Sequence, residues 1–259
     1  MYEFILYTVE NGIATVTLNR PEVFNAFNTK LTFELQDIFK QIAKDAQVRV
    51  VVLTGAGKAF CSGQDLKEAA TLGNRSLAES LHTRYNPLIK AMRELPKPIV
   101  CALNGVVAGA GCSLALACDI IISSANASLS EAFINIGLVP DSGSLFFLPR
   151  MVGSLKAFEL CTLGTKVTAE EALALGLVNQ VVPPENLVAT VQELATRYAA
   201  APTKAIGLIK KMLNKSFSST LEQMLAYEAY CQEIAGKTED FREGVTAFGE
   251  KRKPVFKGE

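Results

Sequence analysis

The sequence is poor in the side chains that bind transition metals. It has a single histidine, His82, and none of its six cysteines forms a C-x-x-C pair. Protein sites for zinc and related metals use several histidine and cysteine ligands at close spacing. We therefore predict no metal site. We expect the cysteines, most of which lie in or next to apolar runs, to be buried reduced thiols of a cytoplasmic protein.

An excess of either charge is also lacking. The 26 basic and 26 acidic residues cancel to a net charge of zero, which favours neither a nucleic acid nor an anionic membrane as a partner. The N-terminal residues, MYEFILYTVENG, contain no basic segment and no small-residue cleavage site. We therefore expect no signal peptide and a cytoplasmic location.

Two glycine-containing stretches fall short of nucleotide-binding motifs. The pair Gly109 and Gly111 lacks the third glycine of a dinucleotide fingerprint. Residues 52–59 resemble the end of a phosphate loop, but Val52 stands where its first glycine belongs and Ala59 where serine or threonine belongs. Neither stretch therefore predicts a nucleotide site.

What the chain does contain is enough apolar residue to fill a large core, since 49% of its 259 residues are hydrophobic. Apolar strand-like runs alternate with helical patterns through the first part of the chain, which predicts an α/β fold with parallel strands covered by helices. From residue 187 onward the pattern is nearly all helical. We expect a core over residues 1–195 and a helical oligomerisation region over residues 196–259.

Residues 97–144 are the most informative stretch. An apolar run at 99–103 predicts a buried strand, Asn104-Gly105 a turn, and the small residues 108–113 the start of a helix. Small residues at such a turn let a ligand approach backbone N–H groups that can bind an anion or a developing oxyanion. Two alternatives remain open. The uncharged run 99–118 could span a membrane, although its three glycines and polar residues disfavour this, or the turn could serve packing alone.

Five segments, in order along nearly the whole chain, together resemble the enoyl-CoA hydratase/isomerase family, which has the crotonase fold. They are residues 18–26 (LNRPEVFNA), 60–66 (FCSGQDL), 104–119, 136–140 (IGLVP) and 243–256. The resemblance implies a crotonase-like α/β spiral of β-β-α units with a C-terminal helical trimerisation region. It also implies a homotrimer or a dimer of trimers, and an acyl-CoA substrate. Coenzyme A would be part of that substrate, so no separate cofactor is expected.

The resemblance also implies positions for the substrate contacts. The backbone N–H groups of Gln64 and Ala110 would form an oxyanion hole for the thioester carbonyl. Contacts with coenzyme A would come from Val23, Ser62, Asp65 and Leu66. Lys251 would reach a phosphate of coenzyme A, in its own or a neighbouring subunit; the alternative for its basic cluster is a solvated tail.

The departures from the family pattern concern the acids. A family hydratase adds water with two glutamates, and the matching positions here are Ser113 and Phe133. We place both in the acyl pocket, where the Ser113 hydroxyl could hold a water or a substrate oxygen. Neither residue can act as a carboxylate base, so activation of water by a glutamate pair is missing.

Asp141 is the carboxylate that remains on the expected turn. Family members that shift double bonds or act on aromatic thioesters can carry an aspartate there, and residues 137–143 (GLVPDSG) are particularly similar to members that isomerise the ring 1,2-epoxide of phenylacetyl-CoA. One acid beside an oxyanion hole suits the removal and return of a proton. We therefore expect an isomerase with Asp141 as its base. Asp141 could instead cap the helix that follows, and we expect surface or supporting roles for Glu131 and Asp65.

The substrate stays open at this level. The sequence does not separate rearrangement of a ring epoxide from a Δ3-to-Δ2 double-bond shift, because the acyl pocket depends on residues 65–80 and on the C-terminal helices. Two further functions compete: an enoyl-CoA hydratase of fatty-acid β-oxidation that uses another acid, and a protein that binds CoA esters without chemistry.

Overall fold

The computed structural model describes residues 2–71 and 76–259. Its strands form two sheets. The larger sheet has the spatial order β1 (Ile5–Glu10), β2 (Ile13–Leu18), β3 (Val50–Gly55), β5 (Ile99–Leu103), β7 (Ile120–Ser124) and β10 (Gln180–Val182). The smaller sheet has the order β4 (Ala59–Cys61), β6 (Val106–Ala108), β8 (Ser128–Ser130) and β9 (Val167–Thr168). The pairs β1–β2 and β8–β9 are antiparallel and the other pairs are parallel.

Helices cover the two sheets. They are α1 (Thr29–Lys44), α2 (Leu66–Thr71), α3 (Leu77–Ser80), α4 (Asn86–Glu94), α5 (Ala110–Leu116), α6 (Ser144–Leu163), α7 (Ala169–Ala174), α8 (Leu187–Ala199), α9 (Thr203–Ser216), α10 (Leu221–Ala235) and α11 (Glu239–Gly249). A π-helical turn (Leu81–Tyr85) joins α3 to α4, and 3-10 turns occur at Pro21–Val23, Ala132–Ile136 and Pro184–Asn186.

The chain winds as a spiral of β-β-α units. Strands β3, β5 and β7 enter the larger sheet, and the strand that follows each of them, β4, β6 or β8, enters the smaller one. A helical segment then returns the chain to the next unit. The ends of β4 and β6 are therefore neighbours in space, and this juxtaposition brings residues 61–65 beside residues 108–113.

Apolar patterning explains why the elements pack as they do. All five residues of β5 are buried, as expected for a central parallel strand covered on both faces. Helix α1 begins after Asn28, whose side chain caps it by accepting a hydrogen bond from the Leu31 N–H at 2.7 Å. Its buried apolar side chains recur at helical spacing: Leu31, Leu35, Ile38, Phe39 and Ile42.

The apolar run 99–118 is divided between β5, β6 and α5. Among the helices of the described residues, none is both long and apolar enough to cross a membrane. The six cysteines are unpaired and buried, which confirms their prediction as buried thiols.

The C-terminal helices leave apolar side chains uncovered in the single chain. In α10 only Cys231 is buried, whereas Leu221 and Leu225 are more than half exposed. Residue 195, the predicted domain boundary, lies inside α8, and both the division into domains and the trimer stay predictions. Residues 72–75, part of the stretch expected to shape the acyl pocket, lie outside the described residues.

Candidate active site

Two loops meet where the sequence predicts an oxyanion hole. The Phe27 N–H donates to the Gly63 carbonyl at 2.7 Å, and the Asp65 N–H donates to the Phe27 carbonyl at 2.9 Å. Because successive N–H groups of an extended chain point to opposite sides, this pairing turns the Gln64 N–H away from Phe27. The neighbouring loop supplies Ala110, the first residue of α5.

Glycine is required where these loops touch. Gly63 has φ 90°, and a Cβ on it would lie 2.8 Å from the Ala108 carbonyl oxygen and 3.5 Å from the Ala110 nitrogen. A Cβ on Gly111 would lie 2.3 Å from the Cys61 carbonyl oxygen. Only residues without a side chain allow backbone approach this close.

The two N–H groups are available to a ligand. Neither the Gln64 nor the Ala110 N–H has a hydrogen-bond acceptor within residues 2–71 and 76–259. Backbone donors that converge without a protein partner can stabilise negative charge on a carbonyl oxygen. The arrangement is therefore chemically suited to the oxyanion role expected for them.

The Gln64 side chain holds this loop in place. Its Nε2 donates to the Phe27 carbonyl at 3.1 Å, and its Oε1 accepts from the Tyr85 hydroxyl and, at 3.4 Å, from Arg84 Nη2. Arg84 also donates to the Thr29 hydroxyl at 3.0 Å and is buried. Arg84 and Tyr85 were not predicted from the sequence, because nothing in a helical segment marks a charged residue as buried beside a distant loop.

Asp141 lies on the turn before α6. Its Oδ1 accepts from the Ser142 hydroxyl at 2.7 Å, and its main-chain carbonyl accepts from the Ser113 hydroxyl at 2.9 Å. The cap of α6 is Gly143, with no hydrogen bond from a capping side chain, so the alternative role of Asp141 as a helix cap is wrong. Burial raises the pKa of the Asp141 carboxyl, and the hydrogen bond from Ser142 opposes that rise.

A second acid lies nearby. Glu131 is buried, and both of its carboxyl oxygens lie 3.0 Å from the Ser144 hydroxyl. Burial raises the pKa of Glu131 to about 7; the charge of Asp141 adds to this rise and the Ser144 hydrogen bond opposes it. Of the two roles expected for Glu131, the surface position is wrong because the residue is buried, and the supporting role stays a prediction.

The comparisons with known proteins agree with this fold. Residues 8–259 match the family model described as enoyl-CoA hydratase/isomerase. The chain belongs to the enoyl-CoA hydratase/isomerase family.

Individual members of the family are similar over their whole length. The chain is 44% identical to a 1,2-epoxyphenylacetyl-CoA isomerase of Escherichia coli, with all of both chains covered. It is 36% identical to a trans-2-decenoyl-[acyl-carrier-protein] isomerase of Streptococcus mutans, with 99% of each chain covered. The crystal structure of an enoyl-CoA hydratase from Bacillus anthracis superposes with a TM-score of 0.93 at 35% identity, covering 99% of this chain and 100% of that one. The crotonase-like α/β fold predicted from the sequence is thereby confirmed.

Membership in this family shows the enzyme class, the hydratases and isomerases of CoA thioesters. Whether the reaction is hydration or isomerisation depends on the acidic residues of the site. Ser113 and Phe133 are the residues that the resemblance matches to the hydratase glutamates. Ser113 is fully buried, with its hydroxyl between the Asp141 carbonyl and, at 2.8 Å, the Ser144 hydroxyl. The expectation that it would hold a water or a substrate oxygen is corrected, because protein groups occupy it.

Phe133 lies beside Gly109, the residue before Ala110. A Cβ on Gly109 would lie 3.9 Å from two carbons of the Phe133 ring, and the ring is buried. An apolar ring beside Gly109 would exclude water from an acyl group bound there. The place of Phe133 in the acyl pocket stays a prediction.

Four of the residues expected to contact coenzyme A, namely Val23, Ser62, Asp65 and Leu66, lie near the end of β4. The Ser62 N–H donates to the Phe24 carbonyl at 3.0 Å, and the Ser62 hydroxyl lies 3.4 Å from the Val23 carbonyl. Leu66 is exposed, but the Asp65 carboxylate pairs with Arg20 at 3.0 Å and accepts from N–H groups at the start of α2. A contact of Asp65 with coenzyme A stays a prediction.

Lys251 stands apart from the other expected coenzyme A contacts. It is exposed on the turn after α11, where φ is 54°, whereas the other residues lie near β4. A contact between Lys251 and a phosphate of coenzyme A, bound in its own or in a neighbouring subunit, stays a prediction.

Proposed function

We propose that this protein is an acyl-CoA isomerase in which Asp141 moves a proton while the N–H groups of Gln64 and Ala110 stabilise an enolate. The observation that carries the proposal is the state of the Asp141 carboxylate. It is partly buried, accepts one side-chain hydrogen bond, from Ser142, and caps no helix. A carboxylate with unused acceptor capacity and a raised pKa is suited to take up and return a proton.

For a 3-enoyl thioester the chemistry would run as follows. The Asp141 carboxylate takes a proton from C2, and the electron pair moves onto the thioester oxygen held by the two N–H groups. Return of the proton at C4 gives the 2-enoyl isomer. Each oxyanion donor of this kind contributes about 3 kcal/mol to the stability of the transition state in related chemistry.

Two observations support an aromatic substrate, the ring 1,2-epoxide of phenylacetyl-CoA, as the first choice. The 44% identical relative from Escherichia coli is described as a 1,2-epoxyphenylacetyl-CoA isomerase. The buried ring of Phe133 beside Gly109 offers an apolar wall to an acyl group. A Δ3-to-Δ2 shift of an aliphatic chain is the second choice within the same mechanism.

One observation favours a hydratase as the competing function. Glu131 and Asp141 are both buried enough to have raised pKa values, and each could serve as one acid of a pair. Hydration would require the Glu131 carboxyl to reach a water at the substrate, whereas both of its oxygens contact Ser144. We therefore favour isomerisation.

A panel assay separates these functions. The purified protein is given crotonyl-CoA, trans-3-hexenoyl-CoA and the ring 1,2-epoxide of phenylacetyl-CoA, and products are separated by chromatography. We expect isomerisation of the epoxide or of the 3-enoyl ester, with crotonyl-CoA hydrated at least about 100-fold more slowly. Efficient hydration of crotonyl-CoA would contradict the proposal. Binding of all three esters with no turnover would indicate a protein that has kept the fold and lost the chemistry.

A further inference from the structure

An unbroken series of buried polar groups leads from Glu131 to the main chain of Asp141. Both carboxyl oxygens of Glu131 lie 3.0 Å from the Ser144 hydroxyl, which lies 2.8 Å from the Ser113 hydroxyl. The Ser113 hydroxyl in turn lies 2.9 Å from the Asp141 carbonyl. Ser113 belongs to α5, so the series ties the turn that carries Asp141 to the helix that begins at Ala110.

Counting protons shows which form of Glu131 completes this series. The four groups form three neighbouring pairs, and each pair needs at least one proton between its oxygens to be joined by a hydrogen bond. The two serine hydroxyls supply two protons. With Glu131 ionised, one contact is left as two oxygens facing each other without a proton. With Glu131 protonated, the Ser144-to-Glu131 hydrogen bond of the ionised form reverses: the Glu131 O–H donates to Ser144, Ser144 donates to Ser113, and Ser113 donates to the Asp141 carbonyl, so that a hydrogen bond joins each neighbouring pair of groups.

The surroundings of Glu131 agree with a neutral carboxyl. Ser113 and Ser144 have no exposed surface, and no lysine, arginine or histidine forms an ion pair with Glu131 within the part of the chain that the structure describes. The titratable groups that face Glu131 are Asp141 from the turn, Cys112 from α5 and Cys161 from α6. The Asp141 charge opposes ionisation of Glu131. Burial raises the pKa of both thiols, and a thiol has no cationic form, so none of these groups supplies a positive charge that would favour an ionised Glu131.

We propose that Glu131 is a positioning residue which, as a neutral carboxylic acid, donates through Ser144 and Ser113 to the main-chain carbonyl of Asp141 and so fixes the turn that carries the base. This inference rests on the proposed function, because it assigns Glu131 the support of Asp141. Glu131 itself does not touch the substrate in this account. Its effect on turnover passes through the orientation of the Asp141 carboxylate relative to the oxyanion donors.

The test compares two replacements of similar size, with trans-3-hexenoyl-CoA and the ring 1,2-epoxide of phenylacetyl-CoA as probes. Glu131→Gln keeps a donor that cannot ionise, whereas Glu131→Leu removes the donor. We expect Glu131→Leu to lower kcat about 10- to 100-fold with KM changed less than about threefold. Glu131→Gln should rescue most of that loss and should lack the fall in kcat that deprotonation of Glu131 causes in the wild type at alkaline pH. Ser144→Ala, a smaller change, should reproduce the Glu131→Leu result even if Glu131→Leu fails to fold.

The outcomes are separable. Equal kcat for Glu131→Leu, Glu131→Gln and the wild type, with equal pH profiles, would overturn the inference. Glu131→Gln as inactive as Asp141→Asn would also overturn it, because Glu131 would then be a reacting acid. If Asp141→Asn itself keeps normal turnover, the proposed function fails first, whatever the Glu131 variants do.

A readout without substrate completes the design. The infrared difference spectrum between the wild type and Glu131→Gln at pH 6 should contain the carbonyl stretch of a protonated carboxyl. A carboxylate band in its place would contradict the neutral form of Glu131.

Discussion

Replacement of Gly63 by alanine should damage the oxyanion hole more than it damages the fold. Gly63 has φ 90°, a backbone conformation that costs an alanine about 1–2 kcal/mol. In addition, the new Cβ would lie 2.8 Å from the Ala108 carbonyl oxygen, a contact short enough that one of the two loops must move. That movement falls on the N–H groups of Gln64 and Ala110.

The size of the effect on turnover follows from the donors. Loss of one oxyanion donor costs about 10²–10³-fold in kcat, and a shift of a few tenths of an ångström should remove part of that. We expect kcat/KM of Gly63→Ala to fall about 10- to 100-fold on whichever ester the panel assay identifies. The free energy of unfolding should fall by about 1–3 kcal/mol, as measured by urea denaturation.

Gly12→Ala is the matched control. Gly12 has φ 79°, but the nearest atom to its added Cβ is 3.5 Å away, which is an ordinary contact, and Gly12 lies in the β1–β2 turn. It should lose similar backbone stability and keep wild-type kcat/KM. If Gly63→Ala also keeps wild-type kcat/KM, the contact between Gly63 and Ala108 does not set the geometry of the hole and the reasoning fails.

Three further predictions concern stability and assembly. Asn25 is fully buried and its side chain bonds the Arg20 N–H at 2.9 Å and the carbonyls of Ala56 at 2.9 Å and Ala59 at 2.8 Å, so Asn25→Ala should cost about 3 kcal/mol in urea denaturation; a cost below about 1 kcal/mol would contradict this. Because burial raises the pKa of Glu131 from 4.5 to about 7, the folded state holds a proton there that the unfolded state has lost. As pH rises from about 4.5 to about 7, the wild type should therefore lose about 3 kcal/mol of unfolding free energy relative to Glu131→Gln. Parallel plots of unfolding free energy against pH for the two proteins would refute this. The exposed apolar side chains of α10 predict trimers or hexamers by light scattering at micromolar concentration, where a monomer would count against the interpretation.

The sequence predicts the central strand of the larger sheet and gives no sign of the smaller sheet. Strands such as β5, with five consecutive buried residues, leave a clear apolar run. Strands β4, β6 and β8 have three residues each, too few to show any periodicity, and β9 has two. The contact between residues 61–65 and 108–113 depends on that smaller sheet, so it followed from the family resemblance rather than from the local pattern.

In the candidate site, too, the sequence identifies one acidic residue, Asp141, and not the other, Glu131. Asp141 could be singled out by subtraction, because Ser113 and Phe133 occupy the positions that match the hydratase glutamates. The burial of Glu131 could not be predicted, because Glu131 follows a short polar stretch that is typical of a surface loop. Its burial arises when α6 packs on α5, a long-range contact that carries no signal in the neighbouring residues.

The most direct test of the central claim is the turnover of Asp141→Asn on the ester that the wild type isomerises, measured together with binding of that ester. Asparagine keeps the shape of the side chain, and no helix cap is lost, so the fold should be unaffected. Loss of a general base should lower kcat about 10²–10⁴-fold, with the dissociation constant changed less than about threefold because the oxyanion donors are backbone groups. Isomerase turnover of Asp141→Asn within about threefold of the wild type would contradict the claim that Asp141 is the base.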